Sequence, residues 1–254
     1  MYTIDDIEGA VIQNQAVAPG HYLAALKLAR PMARPRPGQF VMVRTGGAGV
    51  FLRRPFSIYD YGRSVLRILY KVAGKGTSHL AGLGRGERLS VLGPLGNGFA
   101  PLPGHAPVIV AGGIGLAGVH LLWRRLRGRA AFFWGCTSGD DVGLLGRVAE
   151  CGPYISTMDG TFGCRGNVVD LLADRIAGIK RPFQVFACGP EEMYRSLSAL
   201  LDKEHVPCQV LIEERMACGF GACFGCVVRT DDEKEPYKRV CKEGPAFDLW
   251  RISL

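Results

Sequence analysis

Four cysteines near the C-terminus have a spacing that could hold an inorganic cluster. Cys218, Cys223 and Cys226 are separated by four and then two residues, and Cys241 follows after a gap of fourteen. This arrangement is the ligand spacing of plant-type [2Fe–2S] clusters. Glycine or alanine fills most positions between the first three cysteines, which lets backbone N–H groups approach the sulfurs. The spacing therefore predicts a [2Fe–2S] cluster and the transfer of single electrons.

A structural zinc site is the alternative for the same four thiolates. Zinc sites usually combine two short-spaced ligand pairs, whereas Cys241 has no near neighbour among the cysteines. The other five cysteines are dispersed along the chain, at positions 136, 151, 164, 188 and 208. Buried reduced thiols explain such a set better than a disulfide framework, which favours a cytoplasmic protein.

Two glycine turns, each expected between a strand and a helix, could bind a dinucleotide. One follows the apolar run 108–111 and the other follows the run 184–187. Ligands of open α/β sheets bind at the carboxyl ends of strands, where a helix N-terminus can meet a pyrophosphate. Neither turn is a complete G-x-G-x-x-G fingerprint. Together they predict a nucleotide site formed by Gly112, Gly113, Gly115, Cys188, Gly189 and Pro190. Asp140 and Asp141, after the next strand, would favour the free ribose of NAD over the 2′-phosphate of NADP, and a solvated loop is the alternative interpretation.

The N-terminal part contains a second candidate binding site. The segment Arg54-Pro55-Phe56-Ser57 combines a planar guanidinium fork for phosphate with a small hydroxyl that can approach a ring system. Further on, Leu69-Tyr70-Lys71 supplies an aromatic wall, and Gly76-Thr77 lies in a turn rich in N–H groups that suits another phosphate. An ordinary strand with a surface arginine is the alternative interpretation of the first segment.

Three regions position these motifs. Up to residue 102, short segments rich in β-branched and aromatic residues are separated by glycine or proline, which predicts an antiparallel β-domain, either a barrel or a sandwich. Residues 103–206 alternate short apolar runs with helical spacing, which predicts an α/β domain with a parallel sheet. Residues 207–254 contain the four cysteines and form a small third domain. The predicted fold is thus α+β and multidomain.

Composition and charge argue against nucleic acids and membranes as partners. The chain has 254 residues, of which 48% are hydrophobic, and a formal net charge of +8. Its basic residues are scattered and do not alternate with aromatics, so we expect no nucleic acid. It has no run of ~18 apolar residues and no N-terminal basic segment followed by an apolar stretch, so we expect no membrane span and no signal peptide.

Taken in order, these motifs resemble the ferredoxin–NADP reductase superfamily and, within it, the electron-transfer subunits of class B dihydroorotate dehydrogenases. The most specific match is the segment from Glu213 to Cys226, which reads EERMACGFGACFGC, and the resemblance covers essentially the whole chain. It implies an FAD-binding barrel, an NAD-binding domain and a [2Fe–2S] domain. Arg54 would contact the flavin diphosphate and Ser57 would lie near the isoalloxazine. The residues that would complete the FAD site are Leu69, Tyr70, Lys71, Gly76 and Thr77.

One position departs from the family pattern. The family usually has a proline shortly after the Gly-Gly-Ile-Gly turn, whereas this chain has Ala117-Gly118. Proline at the first position of a helix fixes φ in the helical range. We therefore expect a looser start of the helix that follows the turn.

The resemblance implies an electron relay. Electrons from a separate FMN-containing subunit, which oxidises dihydroorotate to orotate in pyrimidine biosynthesis, would cross the cluster singly, reach FAD, and leave as hydride to NAD⁺. We expect no catalytic side chain, and a heterotetramer of two chains of each kind. Two alternatives remain: a flavin and iron–sulfur NAD(P)H reductase subunit of a hydrogenase or a ferredoxin-dependent transhydrogenase, and a zinc-bound, non-catalytic binding module.

Overall fold

The N-terminal region forms one sheet of seven antiparallel strands. The computed structural model describes residues 4–47 and 49–254. The strands of this sheet are β1 (Asp5–Ala18), β2 (His21–Leu28), β3 (Phe40–Arg44), β4 (Arg54–Ser57), β5 (Asp60–Gly62), β6 (Val65–Lys71) and β7 (Arg88–Leu95). Their order across the sheet is β4-β3-β7-β1-β2-β6-β5.

The two edges of this sheet are joined by the chain between β4 and β5. The Ile58 N–H donates to the Gln39 carbonyl beside β3 at 3.1 Å, and the Tyr59 N–H donates to the Arg67 carbonyl of β6 at 3.1 Å. The chain therefore passes from one edge to the other and closes the sheet into a barrel, which removes its free edges. The predicted antiparallel barrel is confirmed. Its centre is filled by alternating strand residues, among them Val11, Leu26, Val43, Leu66 and Val91.

A short helix stands where the sequence predicted a turn. Helix α1 (Lys75–Ala81) begins directly after Gly74, and its Leu80 side chain is fully buried in the barrel core. Seven residues with an internal glycine have little helical tendency of their own. Burial of Leu80 against the barrel therefore stabilises this helix.

A second sheet of seven strands forms the region that the sequence predicted to bind a nucleotide. Six strands are parallel: β8 (Ala106–Gly112), β9 (Ala131–Cys136), β10 (Tyr154–Thr157), β11 (Cys164–Arg165), β12 (Phe183–Cys188) and β13 (Cys208–Leu211). Three helices cover them: α2 (Leu116–Leu126) on the face shared with the barrel, and α3 (Val168–Arg175) and α4 (Glu191–Leu201) on the other. Short 3-10 helices span 113–115, 139–151, 176–178, 202–204 and 249–251. The predicted α/β domain with a parallel sheet is confirmed.

The cysteine segment leaves and rejoins this second sheet. It contains the hairpin of β14 (Val227–Arg229) and β15 (Tyr237–Arg239), followed by β16 (Ala246–Asp248). Strand β16 pairs antiparallel with β13, with Leu211 opposite Ala246. Strand β13 follows the predicted domain boundary at 206/207, which stays a prediction. Strand β13 belongs to the nucleotide sheet because it pairs with β12, a partner that the cysteine-rich sequence around it did not indicate.

The barrel packs closely against α2. The rings of Tyr59 and His120 are stacked with centroids 3.6 Å apart, and His120 Nδ1 donates to the Tyr59 carbonyl at 2.8 Å. Burial lowers the pKa of His120 to about 4, so this imidazole is neutral at neutral pH. None of the helices in the described part of the chain has the length and hydropathy that a membrane span requires.

Candidate functional site

The fold brings the four predicted cluster cysteines together as two pairs. The Cys218 and Cys223 side chains are within hydrogen-bonding reach of each other. Cys226 and Cys241 form the other pair, in which the Cys241 N–H points at the Cys226 sulfur at 3.4 Å. The second pair is buried, whereas Cys223 is exposed. One side of the group therefore faces the protein core and the other faces solvent.

This arrangement in pairs fits a two-iron cluster. A [2Fe–2S] cluster takes four thiolates in total, and one pair can serve each iron. The arrangement of the four cysteines in two pairs matches that requirement.

The loop that carries the first cysteines supplies hydrogen-bond donors. Burial of Cys218 opposes its ionisation, but the N–H groups of Cys223, Phe220 and Ala222, together with the Cys223 side chain, outweigh it and lower the pKa of Cys218. Burial, followed by the neighbouring Cys226, raises the pKa of Cys241. Such donors stabilise negative charge on sulfur and tune the potential of a cluster held there.

Glycine brings this loop onto the barrel. Gly219 has φ +79°, and a Cβ at this position would lie 2.5 Å from Met42 Cγ of β3. Any side chain here would be strained and would push the loop away from the barrel. The cysteine pairs are therefore fixed next to the domain that was predicted to bind the flavin.

A cavity of about 680 Å³ lies between the barrel and the start of the cysteine segment. All four residues of the predicted Arg54–Ser57 motif line it. The opposite side is formed by residues 211–216, which lead from β13 to the first cysteine. The complete lining is Gly38, Phe40, Leu52, Arg54, Pro55, Phe56, Ser57, Leu211, Ile212, Glu213, Glu214, Arg215, Met216 and Pro245.

Three groups at one end of this region fit a phosphate. Thr45 Oγ1 is buried and has no hydrogen-bond partner among the described residues. A Cβ on Gly76 would lie 3.0 Å from this hydroxyl and 3.3 Å from Arg54 Nε, so the three residues converge. The Arg54 guanidinium donates to the Leu52 carbonyl at 2.7 Å and, within the described residues, pairs with no carboxylate. An unpartnered hydroxyl beside an unpaired guanidinium suits an anionic oxygen.

Thr45 was missed by the sequence analysis. The only signal was its place before the glycine pair Gly46-Gly47 at the end of β3. Thr77, which was predicted, has a different position: its hydroxyl accepts from the N–H groups of Ala73 and Gly74 and donates to the Gly74 carbonyl. Thr77 therefore holds the turn that presents Gly76.

The predicted residues of β6 lie outside the cavity lining. Leu69 packs into the core shared with α2, and Tyr70 is buried, with its hydroxyl donating to Asn14 Oδ1 at 3.0 Å. Burial raises the pKa of Tyr70 to about 12. Lys71 is exposed at the strand end. Contacts from these residues to FAD stay a prediction. Backbone groups at the end of β6, rather than side chains, could make them.

A second cavity, of about 620 Å³, lies at the carboxyl ends of β8, β9 and β12. The predicted glycine turns form one side of it, except Cys188, which is buried beneath the surface. The turns touch: a Cβ on Gly115 would lie 2.1 Å from the Cys188 carbonyl oxygen, and one on Gly112 would lie 2.9 Å from Pro190 Cδ. Trp134 Nε1 donates to the Gly113 carbonyl at 3.0 Å and holds the first turn.

The remaining lining of this cavity differs from the prediction. Asp140 and Asp141 are absent from it, and the acidic side chains that line it are Glu192 and Glu213. Asp140 and Asp141 instead lie in the 3-10 helix that begins at Gly139. Helix α2 begins at Leu116, directly after the glycine turn and without the proline of the family pattern.

Glu213 lines both cavities. Burial raises the pKa of its carboxyl group. A nicotinamide and a flavin exchange hydride by direct contact, so their binding sites must be adjacent. The shared Glu213 marks where the two cavities meet. In the sequence, Glu213 stands out only as the first residue of the family motif, which does not predict a position between two cavities.

Comparison with known proteins agrees with this geometry. Residues 213–253 match the model of the iron-sulfur cluster binding domain of dihydroorotate dehydrogenase B. The chain is 35% identical over 255 residues to the dihydroorotate dehydrogenase B (NAD⁺) electron transfer subunit of Enterococcus faecalis, covering 96% of this chain and 97% of the other. It is 36% identical over 216 residues to the subunit of the same name from Caldanaerobacter subterraneus subsp. tengcongensis, covering 84% and 85%.

Solved structures show the same fold at lower identity. An NADH-dependent reduced ferredoxin–NADP oxidoreductase is similar with a TM-score of 0.84 and 23% identity, covering 96% of this chain and 89% of the other. A ferredoxin NADP⁺ reductase from Neisseria gonorrhoeae with bound FAD and NADP has a TM-score of 0.65 and 17% identity, covering 77% and 90%. With the near-complete coverage of the curated relatives, the chain belongs to the family of dihydroorotate dehydrogenase B (NAD⁺) electron transfer subunits.

Proposed function

We propose that this chain accepts electrons from an FMN-containing partner that oxidises dihydroorotate to orotate, and delivers them to NAD⁺ through a [2Fe–2S] cluster and FAD. The adjacency of three sites supports this order. The cysteine loop packs on β3 of the barrel at Gly219, and the two cavities meet at Glu213. FAD, when bound, can exchange single electrons on one side and a hydride on the other.

The chain's own residues bind, orient and insulate these groups. The four cysteines would hold the cluster, and the loop N–H groups would set its potential. Arg239 makes the loop rigid: its guanidinium pairs with the Glu243 carboxylate, donates to the Gly221 carbonyl at 3.0 Å, and lies 4.4 Å from the Phe224 ring centroid. A rigid ligand loop lowers the structural change that accompanies electron transfer.

The flavin would be held at its diphosphate by Thr45, Arg54 and Gly76. A planar guanidinium can contact two phosphate oxygens at once, and the Thr45 hydroxyl would gain the partner it lacks. Ser57, which lines the same cavity, is the polar group we assign to the isoalloxazine side. A Cβ on Gly76 would crowd Thr45 Oγ1 at 3.0 Å and Arg54 Nε at 3.3 Å, so glycine leaves the space that the phosphate would fill.

The nucleotide cavity is assigned to NAD. The turns at Gly112–Gly115 and Cys188–Pro190 would hold the dinucleotide at the carboxyl ends of β8 and β12, as in other open α/β sheets. NAD is supported by the names of the relatives, which specify NAD⁺. Asp140 and Asp141 lie outside the lining, so they do not contribute to this assignment.

The cellular setting is part of the same proposal. We place the protein in the cytoplasm, because thiolate ligands of a cluster need a compartment that keeps cysteines reduced. We also propose an assembly of two chains with two catalytic partner subunits. The mass of the complex, measured by light scattering after co-expression, tests this stoichiometry.

A matched pair of cysteine variants tests the order of carriers. The complex would be co-expressed with the FMN-containing partner and purified without oxygen. Cys223→Ser removes an exposed ligand, and Cys164→Ser makes the same change at an exposed cysteine remote from the cluster. Reduction of NAD⁺ by dihydroorotate should fall at least ~100-fold in Cys223→Ser, whereas NADH oxidation by ferricyanide should persist, because hydride transfer to FAD bypasses the cluster. Cys164→Ser should retain both activities.

The same preparation separates the alternatives. Zinc in place of iron and sulfide, or a colourless protein, would contradict the relay. Full cofactor content without any dihydroorotate-dependent activity would contradict the assigned partner only. Retention of dihydroorotate-dependent NAD⁺ reduction in a Cys223→Ser complex that lacks the cluster would show that the cluster does not lie between the partner and FAD.

A further inference from the structure

A third cavity, remote from the residues assigned to the cofactors, is lined by four arginines. It has a volume of about 390 Å³ and lies where the last turn of α2 faces the barrel. The volume is more than ten times the roughly 30 Å³ that one water molecule takes up in the liquid. Its lining is Arg34, Pro35, Tyr61, Leu121, Arg124, Arg125 and Arg127.

The charge of this cavity is poorly compensated within the described residues. No carboxylate lines the cavity. Among its arginines, Arg124 pairs with Asp60, and the same carboxylate also pairs with Arg67 at 3.4 Å. The remaining arginines, Arg34, Arg125 and Arg127, have no ion-pair partner in the described part of the chain. One carboxylate shared by two guanidinium groups leaves a strong excess of positive charge.

Arg125 contacts the barrel and lies close to the charge of another arginine of this cavity. Its guanidinium donates to the Pro35 carbonyl of the barrel rather than to an acid. Burial, and next the charge of Arg34, lower the pKa of Arg125. Cations at a helix C-terminus are stabilised by the helix dipole, but that amounts to about half a unit charge and cannot balance four arginines. An anion with several charges would.

We propose that this cavity binds a small molecule carrying two or more linked phosphates. Arginines from two domains line it, and each guanidinium offers the planar fork that matches phosphate oxygens. Arg34 comes from the segment after β2, and Arg124, Arg125 and Arg127 come from the end of α2. The ligand would therefore bridge the barrel and the nucleotide domain. Because α2 begins at the glycine turn of the nucleotide cavity, both of its ends would contact phosphates.

Binding of inorganic pyrophosphate tests this proposal. The co-expressed complex, loaded with FAD and cluster and saturated with NAD⁺, would be titrated calorimetrically at constant ionic strength. NAD⁺ and FAD occupy the other phosphate-binding regions. We expect one pyrophosphate per chain. Arg34→Gln/Arg127→Gln should weaken binding at least ~tenfold, because each charge-assisted hydrogen bond is among the stronger ones in proteins. Both side chains are exposed, and neither makes an ion pair within the described residues, so the variant should fold.

A matched double variant controls for total charge. Arg85→Gln/Lys203→Gln also removes two positive charges, both at exposed positions away from the cavity, and should bind pyrophosphate within twofold of the parent complex. Titration with ADP identifies the source of the phosphates: binding tighter than that of pyrophosphate indicates a nucleotide, and equal binding indicates free polyphosphate.

Four results would overturn the proposal. Three of them concern affinity: pyrophosphate does not bind saturably, it binds equally weakly to both double variants, or it binds Arg34→Gln/Arg127→Gln as tightly as the parent complex. In the fourth, the parent complex does not bind pyrophosphate, and Arg34→Gln/Arg127→Gln no longer associates with the catalytic partner. The last result would mean that the arginines contact an acidic surface of the partner. None of these results depends on electron transfer, so they are independent of the function proposed above.

Discussion

Gly115→Ala tests whether contact between the two glycine turns is required for NAD binding. Gly115 has φ −57° and ψ −17°, which alanine adopts freely, so backbone strain does not enter. The added Cβ would lie 2.1 Å from the Cys188 carbonyl oxygen and 2.9 Å from the Gly189 nitrogen. An ordinary contact needs more than 3 Å. The turns must therefore separate by about 1 Å, and the cavity between them must change shape.

The expected size follows from this displacement. Overpacking of a well-packed contact costs about 1–3 kcal/mol, which corresponds to a roughly 5- to 150-fold loss of affinity if the cost is borne in the bound state. We therefore expect the Kd for NAD⁺ to rise at least ~fivefold in Gly115→Ala. FAD and cluster absorption should be unchanged, because the atoms nearest to the added Cβ belong to Cys188 and Gly189 and not to the barrel or the cysteine loop.

Gly178→Ala is the matched control. Gly178 lies in the same domain, and a Cβ there would have no heavy atom within 4 Å. Fluorescence titration of NAD⁺ against both variants, with flavin and iron content measured in parallel, provides the comparison. A Kd for Gly115→Ala within twofold of the parent value, with full cofactor content, would refute the claim that close approach of the turns is needed.

Three further perturbations follow from the site and the domain contact. Thr45→Val should weaken FAD binding roughly tenfold or more in equilibrium dialysis yet leave the apoprotein as stable or more stable in urea, because it removes a buried hydroxyl without a partner. His120 has its pKa lowered to about 4 from 6.5, so the folded state binds fewer protons and loses stability as pH falls from about 6.5 to 4. Between pH 7.5 and 5 the loss should be about 2 kcal/mol in urea unfolding followed by tryptophan fluorescence, and much of it should vanish in His120→Phe. Gly219→Ala should lower iron content severalfold, because its Cβ would meet Met42 at 2.5 Å, whereas Gly225→Ala, with its nearest contact at 3.6 Å, should not; equal iron in both would contradict the packing argument.

The parts of the fold that the sequence predicted are those set by local periodicity. The strands predicted over the runs 108–111 and 184–187 lie within β8 (Ala106–Gly112) and β12 (Phe183–Cys188). Each shows a repeat of apolar residues that matches one kind of element. The cysteine spacing is equally local, because three ligands lie within nine residues of one loop.

The parts that were missed depend on distant partners. Strand β5 (Asp60–Gly62) has three residues and is fixed by Asp60, whose carboxylate pairs with Arg67 and Arg124. Strand β13 looked like the start of the cysteine domain until its pairing with β12 was visible. A short apolar segment does not show which neighbour it will pair with.

The site residues that were missed share another property. Thr45 stands out because a buried hydroxyl has no partner, and Glu213 because it lines two cavities. Both facts concern the groups that surround a side chain in space, and residue spacing along the sequence does not predict those groups. Asp140 and Asp141 illustrate the reverse case: acidic residues at the expected sequence position lie outside the cavity lining.

The pairing of Leu211 with Ala246 gives the cysteine segment an unusual topological status. The segment begins after β13 and ends at β16, and these two strands pair as neighbours in an antiparallel ladder. The residues between them therefore form one long loop of a β-hairpin. A tight turn could in principle replace it without disturbing the order of the parallel strands. The redox centre is therefore housed in a connection between two neighbouring strands, and its presence leaves the order of the parallel strands beneath it unchanged.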